Sequence, residues 1–223
     1  MLPGQARILS PSPPLRPRCD LGDFSGEMVH SFYPVGFGKP SPVYNSSMPL
    51  VLETSRLMLR PWRESDIPEL VPLIGAREVA ATTLRIPHPY REEHAREFLA
   101  TVPKQDEQLL SIRLRSDGQL CGGVGLHPNR AHQHGELGYW LGVPFWGNGY
   151  ATEAAGAVVR HGFEQVGLHR IFASHFEGNA ASRRVLEKLS MRHEGCLRQH
   201  ILKWGQFIDL HLYAILRQEF IAP

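Results

Sequence analysis

The stretch GELGYWLGVPFWGNGYATEA, Gly135 to Ala154, begins with one structural period and ends with another. From Glu136 to Val143 the side chains alternate, with Leu137, Tyr139, Leu141 and Val143 on one side and Glu136, Gly138, Trp140 and Gly142 on the other. That period of two predicts a strand whose second face carries one carboxylate, two glycines and a tryptophan. From Thr152 to Val166 the spacing of Ala155, Val158, Val159, Gly162 and Val166 predicts a helix with one apolar stripe. Between them lies Gly147-Asn148-Gly149-Tyr150-Ala151. A glycine-rich turn that opens a helix points backbone N–H groups without intrahelical partners at one place, which makes an anion site. Gly147 and Gly149 let a phosphate approach without a Cβ in the way. Glu153, in the first turn, complements the helix dipole.

Three readings of this turn compete. A P-loop needs Lys-Ser or Lys-Thr at its end, and neither is present. A dinucleotide fingerprint needs a third glycine, where this chain has Thr152, and an acid about 20 residues further on, whereas Glu177 lies beyond that. A purely structural loop remains open on the glycines alone.

Upstream, Leu57, Met58 and Leu59 predict a short strand, and Ser65-Asp66 offers an N-cap to a helix carrying Ile67, Leu70 and Leu73, with Pro68 in its first turn and Pro72 shortening or kinking it. Arg91 to Val102 predicts a second helix through Ala95, Phe98, Leu99 and Val102. Strands at Leu109–Leu114 and Gln119–Leu126 flank Ser116-Asp117-Gly118, which has the chemistry of a hairpin turn. The polar run Asn129 to Gly135, with His132 and His134, reads as a further hairpin loop. Downstream come a strand at Ile171–Phe176, a helix capped by Asn179 with the stripe Ala181, Val185, Leu186 and Leu189, and strands at Cys196–Leu202 and Phe207–Ile215 around Trp204-Gly205. The order predicts an α/β (α+β) fold, a mixed and mostly antiparallel twisted sheet with helices on both faces.

Residues 1–50 differ in character: nine prolines between Pro3 and Pro49, with many glycines and serines, sustain no period. Such a segment buries too little apolar surface to offset its chain entropy, so it is expected to be disordered, or an upstream extension ahead of a start at Met48. Residues 51–220 form the expected domain. Arg7, Arg16 and Arg18 precede any acid, but Pro11, Pro13, Pro14 and Pro17 break the amphipathic helix a transit peptide needs.

Taken together, several segments resemble the GNAT acetyltransferases, in the branch that includes the ribosomal-protein N-terminal acetyltransferases RimJ and RimL. They are Gly135–Ala154, Gly167-Leu168-His169-Arg170-Ile171, Asn179 with Ser182, Leu186-Glu187-Lys188, and the closing Asp209 with Tyr213, in that order and spacing. The resemblance spans about Leu52 to Phe220 and implies an acetyl-CoA-dependent N-acetyltransferase. It implies that Leu141, Gly142 and Val143 pair their backbone with the pantetheine arm at a splay in the sheet. It further implies that Gly147, Asn148, Gly149, Tyr150, Ala151 and Thr152 hold the pyrophosphate, and that Asn179 and Ser182 lie near the thioester, Asn179 serving equally as a helix N-cap. Two departures from the wider pattern stand out: Trp146 replaces a Gln or Arg, and Ser190-Met191 replaces a glycine-plus-aromatic pair that supplies an easy left-handed C-cap.

Acetyl transfer needs a neutral amine, a held carbonyl and a route for protons. Glu136 is the candidate base, with an exposed carboxylate that only attracts an ammonium as the alternative. Ser182 is the candidate proton donor to the leaving sulfur, and Tyr139 a further one unless it merely packs. The acceptor is a primary amine, either a protein N-terminus or a small molecule. A non-catalytic acyl-CoA-binding module is the alternative of a different class.

Composition narrows the partners. Twenty-four Lys and Arg against 22 Asp and Glu, with no basic block, argue against nucleic acid. No apolar run approaches the ~18 residues that span a bilayer. Cys19, Cys121 and Cys196 read as free thiols of a reducing compartment, and the twelve histidines form no metal motif. A cytoplasmic protein without a metal, acting as monomer or homodimer, is expected.

Overall fold

The computed structural model describes residues 49–101 and 108–221. The expectations for residues 1–48, and for Val102 in the second helix, lie outside the described residues.

An eight-stranded sheet runs in the order β1-β2-β3-β4-β5-β6-β8-β7. Its first five strands are β1 (Leu52–Glu53), β2 (Leu57–Pro61), β3 (Gln108–Leu114), β4 (Leu120–Asn129) and β5 (His134–Leu141), a meander in which each strand is antiparallel to the last. The remaining three are β6 (Arg170–Phe176), β7 (Arg192–Lys203) and β8 (Gln206–Leu216), with β8 between β6 and β7. Only β5 and β6 run parallel, because the helix α4 (Tyr150–Glu164) carries the chain back between them.

Helices cover both faces. On one, α4 and α5 (Ala180–Lys188) pack on Leu57, Leu59, Leu126, Leu137, Leu141, Ile171 and Ile215 through Ala155, Val158, Val159, Phe163 and Leu186. On the other, α1 (Ile67–Ile74), α2 (Arg77–Ala81) and α3 (Glu92–Thr101) enclose a second cluster of Trp62, Ile67, Leu70, Val79, Ala95 and Leu120. The fully buried Leu57 and Leu59 alternate with residues of the opposite face, as a sheet covered on both sides requires.

Several local expectations change. Asp66 accepts no N-cap bond from α1; its carboxylate is 1 % exposed and binds Arg60 and Arg113 instead. The strand expected over Glu136 to Val143, β5, begins at His134 and ends at Leu141, so Gly142 and Val143 fall in the turn that follows, while His134 and Gly135 are strand rather than loop. Ala181 is exposed rather than part of the buried stripe of α5. Ser190 supplies the left-handed residue after α5 itself, at φ 60°, and Met191 enters the core.

Candidate functional site

β5 and β6 are bonded through three pairs, His134 with Arg170, Gly135 with Ile171 and Glu136 with Phe172. Beyond them β5 stays attached to β4 as far as Leu141, and β6 to β8 as far as Phe176. Each half of the sheet is thus held by its outer neighbour while the inner edges part from Leu137 onward. The gap is a cleft of about 1180 Å³ that reaches both faces of the sheet. Gly147, Gly149, Tyr150, Ala151 and Thr152 line it on the α4 side, and Glu136, Gly138 and Trp140 on the other.

The turn into α4 is built for an anion. Gly147 and Gly149 both sit at φ 79°, a left-handed conformation that an L side chain adopts only at a cost, and Gly149 is the N-cap, with no side chain satisfying the helix. A Cβ on Gly147 would meet nothing within 4 Å, and one on Gly149 would meet only the Arg56 guanidinium, at 3.5 Å. Asn148 turns away from the cleft. Its amide donates to the carbonyls of Phe145 (3.3 Å) and Trp146 (3.2 Å), and its own carbonyl accepts from Arg56 (3.0 Å). Glu153 does more than complement a dipole: its carboxylate accepts from the Thr54 hydroxyl (2.6 Å), the Ser55 hydroxyl (3.1 Å), the Arg56 N–H (2.9 Å) and the Arg56 guanidinium (2.7 Å). Arg56 also lies 4.8 Å above the Tyr150 ring. The β1–β2 connection is thereby tied to the first turn of α4. Partial burial alone would raise the Glu153 carboxyl, but these donors outweigh it and hold it below the usual carboxylate range.

The backbone of β5 has fewer free groups than expected. Gly142 donates its N–H to Cys121 (2.9 Å), so it faces β4, and its carbonyl accepts from Phe145 while that of Val143 accepts from Trp146. Both residues are thus committed to the sheet and the turn, and neither lines the cleft. Strand alternation directs the N–H groups of Tyr139 and Leu141 into the gap. The Leu141 carbonyl is already taken by the Trp146 indole N–H at 2.8 Å, which gives that tryptophan a role of its own.

Tyr139 points to the α5 face, its hydroxyl 2.8 Å from Ser182 Oγ and 3.3 Å from the Ser182 carbonyl. Burial pushes the Tyr139 hydroxyl up to about 12, with the Ser182 bond offsetting part of the rise, so it is protonated throughout the neutral range. Asn179 caps α5, accepting from the Ser182 N–H at 3.0 Å, and also lines the cleft. Glu136 lies on the opposite face, directly across the ladder from His127. On that face Trp140 stacks on Trp62 (centroids 6.4 Å apart), and Gly125 and Gly138 pair across the ladder, Gly138 open and Gly125 covered by the Leu109 side chain. The cleft therefore brings the candidate base and the candidate acids to one opening from two sides of the sheet.

Comparison with known proteins identifies the family and the fold. Residues 56–192 match the sequence model of the acetyltransferase (GNAT) domain. The chain belongs to the GNAT acetyltransferase family. The uncharacterized N-acetyltransferase YoaA of Bacillus subtilis is 31 % identical over 172 residues, which covers 75 % of this chain and 97 % of YoaA. A GNAT-family acetyltransferase from Bacillus anthracis superposes with a TM-score of 0.70 at 27 % identity, over 76 % of this chain and all of that one. RimL, the ribosomal L7/L12 α-N-protein acetyltransferase solved with coenzyme A, shares the fold at a TM-score of 0.68 and 20 % identity, over 75 % of this chain and 98 % of its own.

Within this acetyltransferase, sequence reasoning missed the residues that act over distance. Arg56 holds a turn more than ninety residues away. Trp62 and His127 join the expected Trp140 in shaping the face opposite α4, and Arg184 lines the cleft from α5 beside Lys188, which the motif already contained. No single-segment period could have assembled these; only the alternation that put Trp140 beside Glu136 pointed toward that face. Among the described residues no group of three or more His, Cys, Asp or Glu could hold a metal, and no helix is long and apolar enough to cross a membrane.

Proposed function

We propose that the enzyme binds acetyl-CoA on the α4 side of the cleft, pyrophosphate on Gly147–Thr152, and acetylates a primary amine that enters from the Trp140 face. The observation that carries this is the meeting of an uncapped helix N-terminus, opened by two left-handed glycines, with the point where β5 leaves β6. An extended arm fits that gap, and the Leu141 N–H within it can polarise the thioester oxygen as negative charge develops there. The amine nitrogen bonds to the carbonyl carbon and the C–S bond breaks. Glu136, directly or through water, takes the amine proton; the Tyr139–Ser182 pair delivers a proton to the departing sulfur.

The acceptor side is roofed. Lys203 donates to the Thr83 carbonyl, and Trp204 packs on His88 (6.0 Å) and Arg77 (5.6 Å), so the β7–β8 hairpin tip meets the start of α2 and the α2–α3 connection. Trp204 at φ 49° and Gly205 at φ 79° form the turn that shapes this tip. Slender acceptors, a small amine or a flexible protein N-terminus, fit beneath such a roof.

The test is thiol release from acetyl-CoA across a panel of small amines and N-terminal peptides, beside calorimetric titration of the cofactor. Binding with no release on any acceptor would favour a non-turnover acyl-CoA-binding module. Glu136→Gln should lower kcat about 100-fold at neutral pH, leave cofactor affinity unchanged and recover as alkaline pH deprotonates the amine unaided. An unchanged rate at saturating substrates across pH would eliminate the base role. Ser182→Ala and Tyr139→Phe should each lower kcat by about 10-fold or more without weakening cofactor binding; equal losses in kcat and affinity would instead mark them as packing residues.

A further inference from the structure

Resting on that acetyl-transfer reading, we infer that the acceptor is a 2-arylethylamine, with its ring over Gly138 against Trp140 and its amine toward Glu136. This unit is shared by free aromatic amines and by peptides whose first residue is Phe, Tyr or Trp. The assignment comes from the order of side chains along one face of β5. Alternation puts Glu136, Gly138 and Trp140 on the same face, and all three line the cleft. A carboxylate, a bare position and an indole therefore follow one another along the strand. Gly138 is exposed, and a Cβ on it would meet nothing within 4 Å. Successive positions on that face are about 6.6 Å apart, so a ring over Gly138 lies one step from Glu136, a span that a two-carbon tether to the amine nitrogen bridges.

The surface around that gap is apolar and held in place. Trp140 is half-buried and lies nearly parallel to Trp62 (8°, centroids 6.4 Å apart), and Phe98 of α3 meets Trp62 edge-on at 5.8 Å. Gly123 makes room for the two indoles, since a Cβ there would stand 2.7 Å from Trp140 Nε1 and 3.0 Å from Trp62. Across the ladder from Gly138, Gly125 is covered by the Leu109 side chain. The floor between Glu136 and Trp62 thus presents glycine backbone already paired within the sheet, a leucine and two indoles. A polar or charged acceptor body would give up water there without gaining partners, whereas an aromatic ring gains apolar contact and a stacking partner. Polarity returns at the Glu136 end, where His127 stands across the ladder and lines the cleft beside it.

The test is thiol release from acetyl-CoA with ethylamine, benzylamine, 2-phenylethylamine and 4-phenylbutylamine, and with peptides that differ only in an N-terminal Ala or Phe. In at least one arm, 2-phenylethylamine over ethylamine or the Phe peptide over the Ala peptide, kcat/KM should rise at least about 10-fold. Benzylamine and 4-phenylbutylamine, with shorter and longer tethers, should fall below 2-phenylethylamine. A preference confined to the Phe peptide identifies a protein N-terminus as the source, and one confined to 2-phenylethylamine a free amine. Trp140→Ala, and Gly138→Val, which fills the open position, should each bring the preference to within about 2-fold of none, while Trp140→Phe keeps most of it. Turnover that favours the aryl acceptor in neither arm, or a preference that survives either variant, overturns the inference and leaves acetyl transfer standing. Acetyl-CoA binding with no thiol release on any acceptor overturns the acetyl-transfer reading beneath it as well.

Discussion

Changing Gly147 and Gly149 together to valine is expected to reduce acetyl-CoA affinity at least ~100-fold, beyond calorimetric detection, in a protein that still folds. Two effects combine. At φ 79° a β-branched residue is strained by roughly 1–2 kcal/mol, so each substitution pulls the turn toward ordinary φ and redirects its N–H groups. Where the backbone resists, the side chain at 147 projects into the open space before the helix N-terminus, where the pyrophosphate is proposed to lie. Gly118 provides the control. It sits at φ 76° in the β3–β4 turn, and a Cβ there would likewise meet nothing within 4 Å, so Gly118→Val imposes similar strain far from the cleft. Gly118→Val should lower stability comparably and leave acetyl-CoA binding intact. If both variants lose affinity in proportion to their loss of stability, the turn is structural and the anion site is wrong.

This prediction was open to sequence reasoning because the turn is local. Two glycines, a strand period before them and a helical period after them all lie within a short stretch of chain, and the structure departs only at the ends of the two elements, most of all where Pro144 and the bond from the Phe145 N–H to the Gly142 carbonyl convert an expected strand terminus into a turn. The Ser116-Asp117-Gly118 and Trp204-Gly205 hairpins were legible for the same reason. Glu136 and Tyr139 fall on opposite faces as expected, since alternation needs only the strand. What alternation cannot show is that both faces reach one cleft; that depends on β6 leaving β5 after three pairs, a property of two distant segments and their outer partners. Asp66 illustrates the opposite failure. Ser65-Asp66 before an apolar period is a sound N-cap pattern, yet two strand arginines compete for the carboxylate and win, because a buried guanidinium without an anion costs more than a helix N-terminus whose N–H groups can turn to other acceptors.

That competition sets up the largest expected stability change. Asp66 accepts from Arg60 through two bonds (2.8 and 2.9 Å), from Arg113 (2.7 Å) and from the Arg63 N–H (3.0 Å), and Arg113 reaches on to Glu69 (3.0 Å). The network ties β2 and β3 to the start of α1 beneath the second core cluster. Asp66→Ala would leave two buried guanidinium groups without their shared anion, and is expected to cost about 3–5 kcal/mol. For a domain of this size that corresponds to a fall in Tm on the order of 10 °C. Asp66 should also shape the acid limb of the stability profile. Burial acts to raise its carboxyl, but the bonds from Arg60 and Arg63 and the charge of Arg113 outweigh this and hold it below the ordinary value. A carboxylate whose folded value is depressed contributes fully above the unfolded value near 3.8, and that contribution is lost as pH falls through the lower folded value. Denaturant melts from pH 7 down to pH 2 should therefore show wild-type stability falling steeply below about pH 4, with a shallower fall in Asp66→Ala once the general loss is subtracted. Glu153, also depressed, keeps some of the slope in both proteins. Equal stability of wild type and Asp66→Ala at pH 7 would mean that the arginines find water or Glu69 at no cost. The network would then be a consequence of the fold rather than one of its supports.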